Sequence, residues 1–161
     1  MNVLFVCSGN VSRSFLAEAL LRHEMERLGR TDVLVSSAGL RAFPGSPPDP
    51  RMVQYLETLG IAAPAHEARQ VSPEDVDRAD LIVVMEREHA REIARQWPGT
   101  GSKVVLLGTY LPGIPTEDDV VDPFGRSPYH YRLAQSQITL AVKSLSQRLS
   151  NPPESTFSKG D

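Results

Sequence analysis

Short apolar runs alternate along this chain with longer stretches of helical period. Val3-Leu4-Phe5-Val6 is apolar at every position, the pattern of a strand buried on both faces. From about residue 12 to 28, apolar side chains recur at Ala17, Leu21, Met25 and Leu28 with charged residues opposite. That spacing predicts a helix, and Gly29 is placed to stop it. Val33-Leu34-Val35-Ser36-Ser37 predicts a second strand, and strand, helix, strand at this spacing predicts a right-handed parallel crossover. Residues 43–50 are rich in Pro and Gly and predict a loop. Asp49 then offers an N-cap and Pro50 a first helical residue, for a helix through Tyr55 and Leu59 that ends at Gly60.

Ser72-Pro73-Glu74-Asp75 predicts a second capped start, for a short helix. Leu81-Ile82-Val83-Val84-Met85 predicts a third strand, residues 86–97 a helix, and Val104-Val105-Leu106-Leu107 a fourth strand. Residues 108–127 predict a long loop with three prolines and an acidic cluster. Loops of that length in a small domain are usually functional or disordered. The last predicted helix runs from Pro128 to about Leu149. The alternation implies an α/β domain: a four-stranded parallel sheet with helices on both faces. Ligands of such sheets bind beyond the carboxyl ends of the strands.

At 161 residues the chain accommodates one domain, expected over 1–150, with 151–161 a polar, mobile tail. The net charge of −3 gives no reason to expect a nucleic-acid partner. No apolar stretch is long enough for a membrane span, and the start lacks the pattern of a signal peptide. A single cysteine excludes an internal disulfide and fits a reducing cytoplasm. The four histidines are scattered, with no helical pair and no second thiol, so neither a metal nor another cofactor is expected.

The chemistry concentrates in Cys7-Ser8-Gly9-Asn10-Val11-Ser12-Arg13-Ser14, between the first strand and the first helix. A tight loop entering a helix aims backbone N–H groups and a helix N-terminus at one point, which is an anion site. Gly9 and Asn10 tolerate the positive φ that a loop curling around an anion requires. The loop opens on the lone thiol and closes on a guanidinium whose fork matches two phosphate oxygens. A thiol so placed is set up to react as the thiolate. A buried structural cysteine is the blander reading of Cys7, but the strand–loop–helix context favours a nucleophile in a phosphate cradle.

This loop, followed by Ala17-Glu18-Ala19, resembles the phosphate loop of the low-molecular-weight protein tyrosine phosphatases. Further matches lie at Ser37-Ala38-Gly39, Asp49-Pro50-Arg51, His66 with Ala68-Arg69-Gln70, Leu106-Leu107-Gly108 and Asp122-Pro123-Phe124. The resemblance implies a phosphomonoester hydrolase acting through a phosphocysteine on Cys7. Arg13 and the loop N–H groups from Ser8 to Ser14 would hold the phosphate, and Asp122 would be the general acid and base. Glu117, Asp118 and Asp119 lie near it, and the residues alone do not choose among the four; the family pattern selects Asp122 and leaves the others as a solvated acidic face. By the same resemblance Ser14 bonds the thiolate, while Asn10, Ser37 and His66 support the loop. Val11, Phe43 and Phe124 would line the substrate pocket. The implied partners are a phosphorylated protein, phosphotyrosine by preference, and inorganic phosphate or other oxyanions as inhibitors.

The chain departs from the family pattern at several positions. Ser12 stands where a second loop cysteine is usual, so the family's protective disulfide cannot form. Phe15 replaces a common proline, and Gly125 the second of a tyrosine pair. Met85-Glu86 carries Glu in place of the frequent Asp, and His89 differs too. The single Cys disfavours an arsenate reductase of this fold, which needs a thiol relay. A non-catalytic phosphate-binding module would need neither Cys7 nor Asp122. A protein-arginine phosphatase is the closer competitor: Met85 to His89 and Asp-Pro-Phe-Gly are somewhat like that group, whereas Val11 replaces its Thr and suits a tyrosyl ring.

Overall fold

The computed structural model describes residues 1–113 and 119–151. Four parallel strands form one sheet: β1 (Asn2–Cys7), β2 (Leu34–Gly39), β3 (Leu81–Val84) and β4 (Val104–Leu106), in the order β2-β1-β3-β4. The helices are α1 (Arg13–Arg27), α2 (Pro50–Thr58), α3 (Pro73–Arg78), α4 (Arg87–Gln96) and α5 (Pro128–Ser150). Val3, Phe5 and Cys7 face a core shared with α1, α2 and α5, while Leu4 and Val6 face one shared with α3 and α4. The unbroken apolar run of β1 is thus explained by burial on both faces. Each such side chain contributes about 1.5–3 kcal/mol by leaving water. From β1 the chain first adds β2 on one side and then β3 and β4 on the other, so the loop after β1 opens at the switch point.

The local signals hold up. Asp49 caps α2 by accepting from the Arg51 N–H at 3.0 Å, and Ser72 and Asp75 form a reciprocal capping box on α3. Three expectations need correction. The first half of α1 has no charged outer face: Arg13 to Leu21 are all buried between the sheet, α5 and the loop, whereas Leu28 at its end is exposed. The second strand begins one residue later than expected and runs on to Gly39, because β1 continues to pair with it through Cys7. The fourth strand stops at Leu106, and a 3₁₀ turn (Leu107–Tyr110) occupies the start of the expected loop. Residues 114–118 of that loop, Glu117 and Asp118 among them, and the tail from 152 lie outside the described residues.

Gly39 matters for the site. A Cβ there would lie 2.6 Å from the Ser8 carbonyl oxygen and 3.1 Å from both the Asn10 nitrogen and the Gly9 carbonyl carbon. All three are backbone atoms of the loop after β1 and cannot swing aside. Gly39→Ala should therefore displace the loop, costing about 1–3 kcal/mol of stability. A thermal melt would register that loss, and kcat/KM on nitrophenyl phosphate should fall with it.

Candidate active site

The loop from Cys7 to Arg13 is shaped by Asn10, the one non-glycine residue with positive φ (57°) among those described. Its side chain explains why Asn and not Gly is needed. Asn10 Oδ1 accepts from the Arg69 N–H at 3.0 Å, so its amide nitrogen is free to donate. That nitrogen donates to Ser14 Oγ and to Ser37 Oγ, each at 2.9 Å. The Asn10 carbonyl in turn accepts from His66 Nε2 at 2.7 Å, and the His66 ring packs on Phe15 with centroids 4.8 Å apart. The structure thus links Asn10, Ser14, Ser37 and His66 in one hydrogen-bonded network. Phe15, which replaces a common proline, serves as the floor for His66.

These bonds have a direction. Ser14 Oγ accepts from Asn10 and lies 2.9 Å from Cys7 Sγ, where its O–H is the donor whenever Cys7 is the thiolate. The Asn10 N–H also points at Sγ, at 3.3 Å. The sulfur at the carboxyl end of this buried strand thus has two neighbours able to donate to it. Cys7 is nearly fully buried, open only toward the cavity above the loop. Ser12 is buried as well, and its hydroxyl makes no hydrogen bond among the described residues.

Arg13 is fixed from three sides. Nη1 donates to Glu86 Oε2 at 2.6 Å and to the Val120 carbonyl at 2.8 Å, while Nη2 lies 3.7 Å from Asp122 Oδ2. Glu86 thereby does for the guanidinium what the shorter Asp would do. A buried arginine costs much free energy unless its donors are met, and here the bonds also fix the plane of its fork. Asp122 uses its other oxygen to accept from the Phe124 N–H at 3.1 Å. The capping role and the site role are therefore compatible in one carboxylate. Asp119 is partly exposed, and it accepts from the Arg87 N–H at 2.9 Å, tying the loop to the start of α4.

The cavity over Cys7 has a volume of about 660 Å³. Its floor is Cys7, Ser8, Gly9, Ser12 and Arg13, and its walls include Val11, Phe43, Pro47, Pro48 and Phe124. Phe43 and Phe124 are largely exposed, at 82% and 62%. Both rings line the cavity that opens over Cys7. Asp49 lines the same cavity but is already committed, accepting from the buried Tyr131 hydroxyl at 2.7 Å while its N–H donates to the Val11 carbonyl. Burial and that carboxylate push the Tyr131 phenol well above its ordinary value. Sequence reasoning missed the roles of Glu86, His89, Asp49 and Tyr131 here; only a polar residue flanking a buried strand, as at Glu86, was a usable signal.

A buried thiol and a fixed arginine, on a strand–loop–helix turn at the carboxyl edge of a parallel sheet, fit a cysteine-based phosphatase. The chain belongs to the low molecular weight phosphotyrosine protein phosphatase family, whose model matches residues 2–154. It is 35% identical over 149 residues to a protein-arginine-phosphatase of Bacillus subtilis, covering 92% of this chain and 97% of that protein. A low molecular weight phosphotyrosine protein phosphatase of Schizosaccharomyces pombe is 41% identical over 120 residues, 71% of this chain and 76% of the relative. Among solved structures, a mutant of the arginine phosphatase YwlE with a phosphorylated active-site serine superposes with a TM-score of 0.85. That structure is 33% identical and covers 95% of this chain and 98% of its own.

Proposed function

We propose that this chain hydrolyses phosphotyrosine in proteins through a phosphocysteine on Cys7. The observation that carries the reading is the cavity, in which a sulfur faced only by donors lies beneath the Phe43, Phe124 and Val11 walls. In the first step the Cys7 thiolate attacks phosphorus and the bond to the phenolic oxygen breaks. Asp122 supplies the proton which that oxygen needs to leave. Arg13 and the N–H groups of the loop hold the three remaining oxygens. In the second step water attacks, the S–P bond breaks, Asp122 takes the water's proton, and inorganic phosphate departs. The phosphorylated active-site serine of the YwlE mutant supports a covalent phosphoenzyme on this loop.

Phosphoarginine is the second reading, favoured by the names of two similar relatives. A guanidinium substrate needs acceptors or an uncommitted carboxylate. Asp49 is taken by Tyr131, Asp122 faces Arg13, and Arg41 adds positive charge to the rim. Val11 brings two methyl groups where a hydroxyl would serve a guanidinium. The expected result is a higher kcat/KM on a phosphotyrosine peptide than on the matched phosphoarginine peptide. The gap should narrow or reverse in Val11→Thr. Faster wild-type turnover of phosphoarginine would overturn the choice.

A further inference from the structure

We propose that His89 is a positioning residue that ties together the two ends of the phosphate loop as a neutral imidazole protonated on Nε2. The ring is nearly fully buried at the third position of α4, outside the cavity and without access to substrate. Its Nδ1 accepts the Glu86 N–H at 3.1 Å, so Nδ1 carries no proton. A neutral ring must then carry its proton on Nε2, which donates to Ser8 Oγ at 3.0 Å. The same nitrogen lies 3.5 Å from Glu86 Oε2, the oxygen that holds Arg13. One ring therefore reaches the residue after the nucleophile and the carboxylate that orients the arginine closing the loop.

The surroundings favour the neutral form. Burial lowers the His89 pKa most, and Arg13 on α1 and Arg41 lower it further, against the opposing pull of Glu86 and Glu92. A second proton would also break the bond from the Glu86 N–H, leaving that donor without its cap. The polarity passes to Ser8. Having accepted from His89, its hydroxyl keeps its own proton to donate, on a side chain that lines the cavity. Without the ring, Ser8 could turn either way and Glu86 would lose the contact that fixes its backbone beneath Arg13.

The test uses the whole chain, with nitrophenyl phosphate as substrate, inorganic phosphate as a ground-state mimic and vanadate as a transition-state mimic. His89→Ala should lower kcat and vanadate affinity together by about tenfold, because the loop is held best for the transition state. Phosphate affinity and KM should change by no more than about twofold. His89→Gln places an amide N–H near the Nε2 position and should recover more kcat than His89→Asn, which keeps only the acceptor near Nδ1. Ser8→Ala should add little to His89→Ala, since the two belong to one bond. A folded His89→Ala enzyme with unchanged kcat and vanadate affinity would overturn the proposal. So would losses from Ser8 and His89 that simply multiply. Should His89→Ala fail to fold, long-range ¹H–¹⁵N spectra of the wild-type ring decide: Nε2–H is expected, and Nδ1–H or an imidazolium at neutral pH would be fatal. The proposal rests on phosphoryl transfer at Cys7 but not on the choice of phosphotyrosine. A wild type inert toward nitrophenyl phosphate would sink that mechanism, leaving the ring spectrum to judge His89.

Discussion

Cys7→Ser should lose on the order of 10⁴ or more in turnover of any phosphomonoester while still binding vanadate or phosphate measurably. The geometry gives the reason. Position 7 is met by the Ser14 hydroxyl and the Asn10 N–H, both donors, and no base among the described residues bonds to Cys7 Sγ. Both contacts come from groups able to donate. The site offers nothing to remove the proton of a serine hydroxyl, which holds it far more tightly. Oxyanion binding depends on different groups, chiefly Arg13 and the loop amides, and Arg13 is anchored through Glu86 and Val120 independently of the sulfur. Initial rates on nitrophenyl phosphate together with calorimetric titration of vanadate would separate the two. Appreciable hydrolysis by Cys7→Ser would rule out the phosphocysteine, and lost vanadate binding would mean that the sulfur also holds the loop in shape.

What the sequence discloses here is what is local. The caps at Asp49 and Ser72, the apolar run of β1, and the loop between Cys7 and Ser14 are each decided within a few residues. Asn10 could be assigned its positive φ because side-chain type and turn chemistry are coupled over short range. What was illegible comes from contacts between distant segments. Arg13 is held by the backbone carbonyl of Val120, 107 residues away, and backbone acceptors leave no trace in residue type. The burial of Arg13 to Leu21 on all sides follows from α5 closing over α1, which no period within α1 reports. His89 stands out in the sequence only as a departure from the family pattern, because its partner Ser8 lies 81 residues away. The tie of Asp119 to a backbone N–H of α4 was hidden for the same reason.

The leaving group gives the sharpest probe of Asp122. A general acid matters in proportion to how poorly a group departs without a proton. The tyrosine phenol, with a pKa of about 10, makes a poor anion and should lean heavily on the acid. A nitrophenol leaves as a more stable anion. Asp122→Asn keeps the shape and an oxygen able to accept from the Phe124 N–H, as Asp122 does at 3.1 Å, so the local turn should survive. It removes the transferable proton, and it removes a negative charge that lies 3.7 Å from Arg13 Nη2. The second change acts on both substrates alike, whereas the first does not. In single-turnover experiments, phosphorylation of Cys7 by phosphotyrosine should therefore fall about 10²- to 10³-fold, and by nitrophenyl phosphate considerably less. Steady-state rates would not serve, because they can report hydrolysis of the phosphocysteine, where Asp122 acts as the base. An equal fall for the two substrates would reduce Asp122 to holding the loop and Arg13. Among the neighbouring acids Asp119 is tied to the start of α4, so the proton donor would then have to be sought at Glu117 or Asp118.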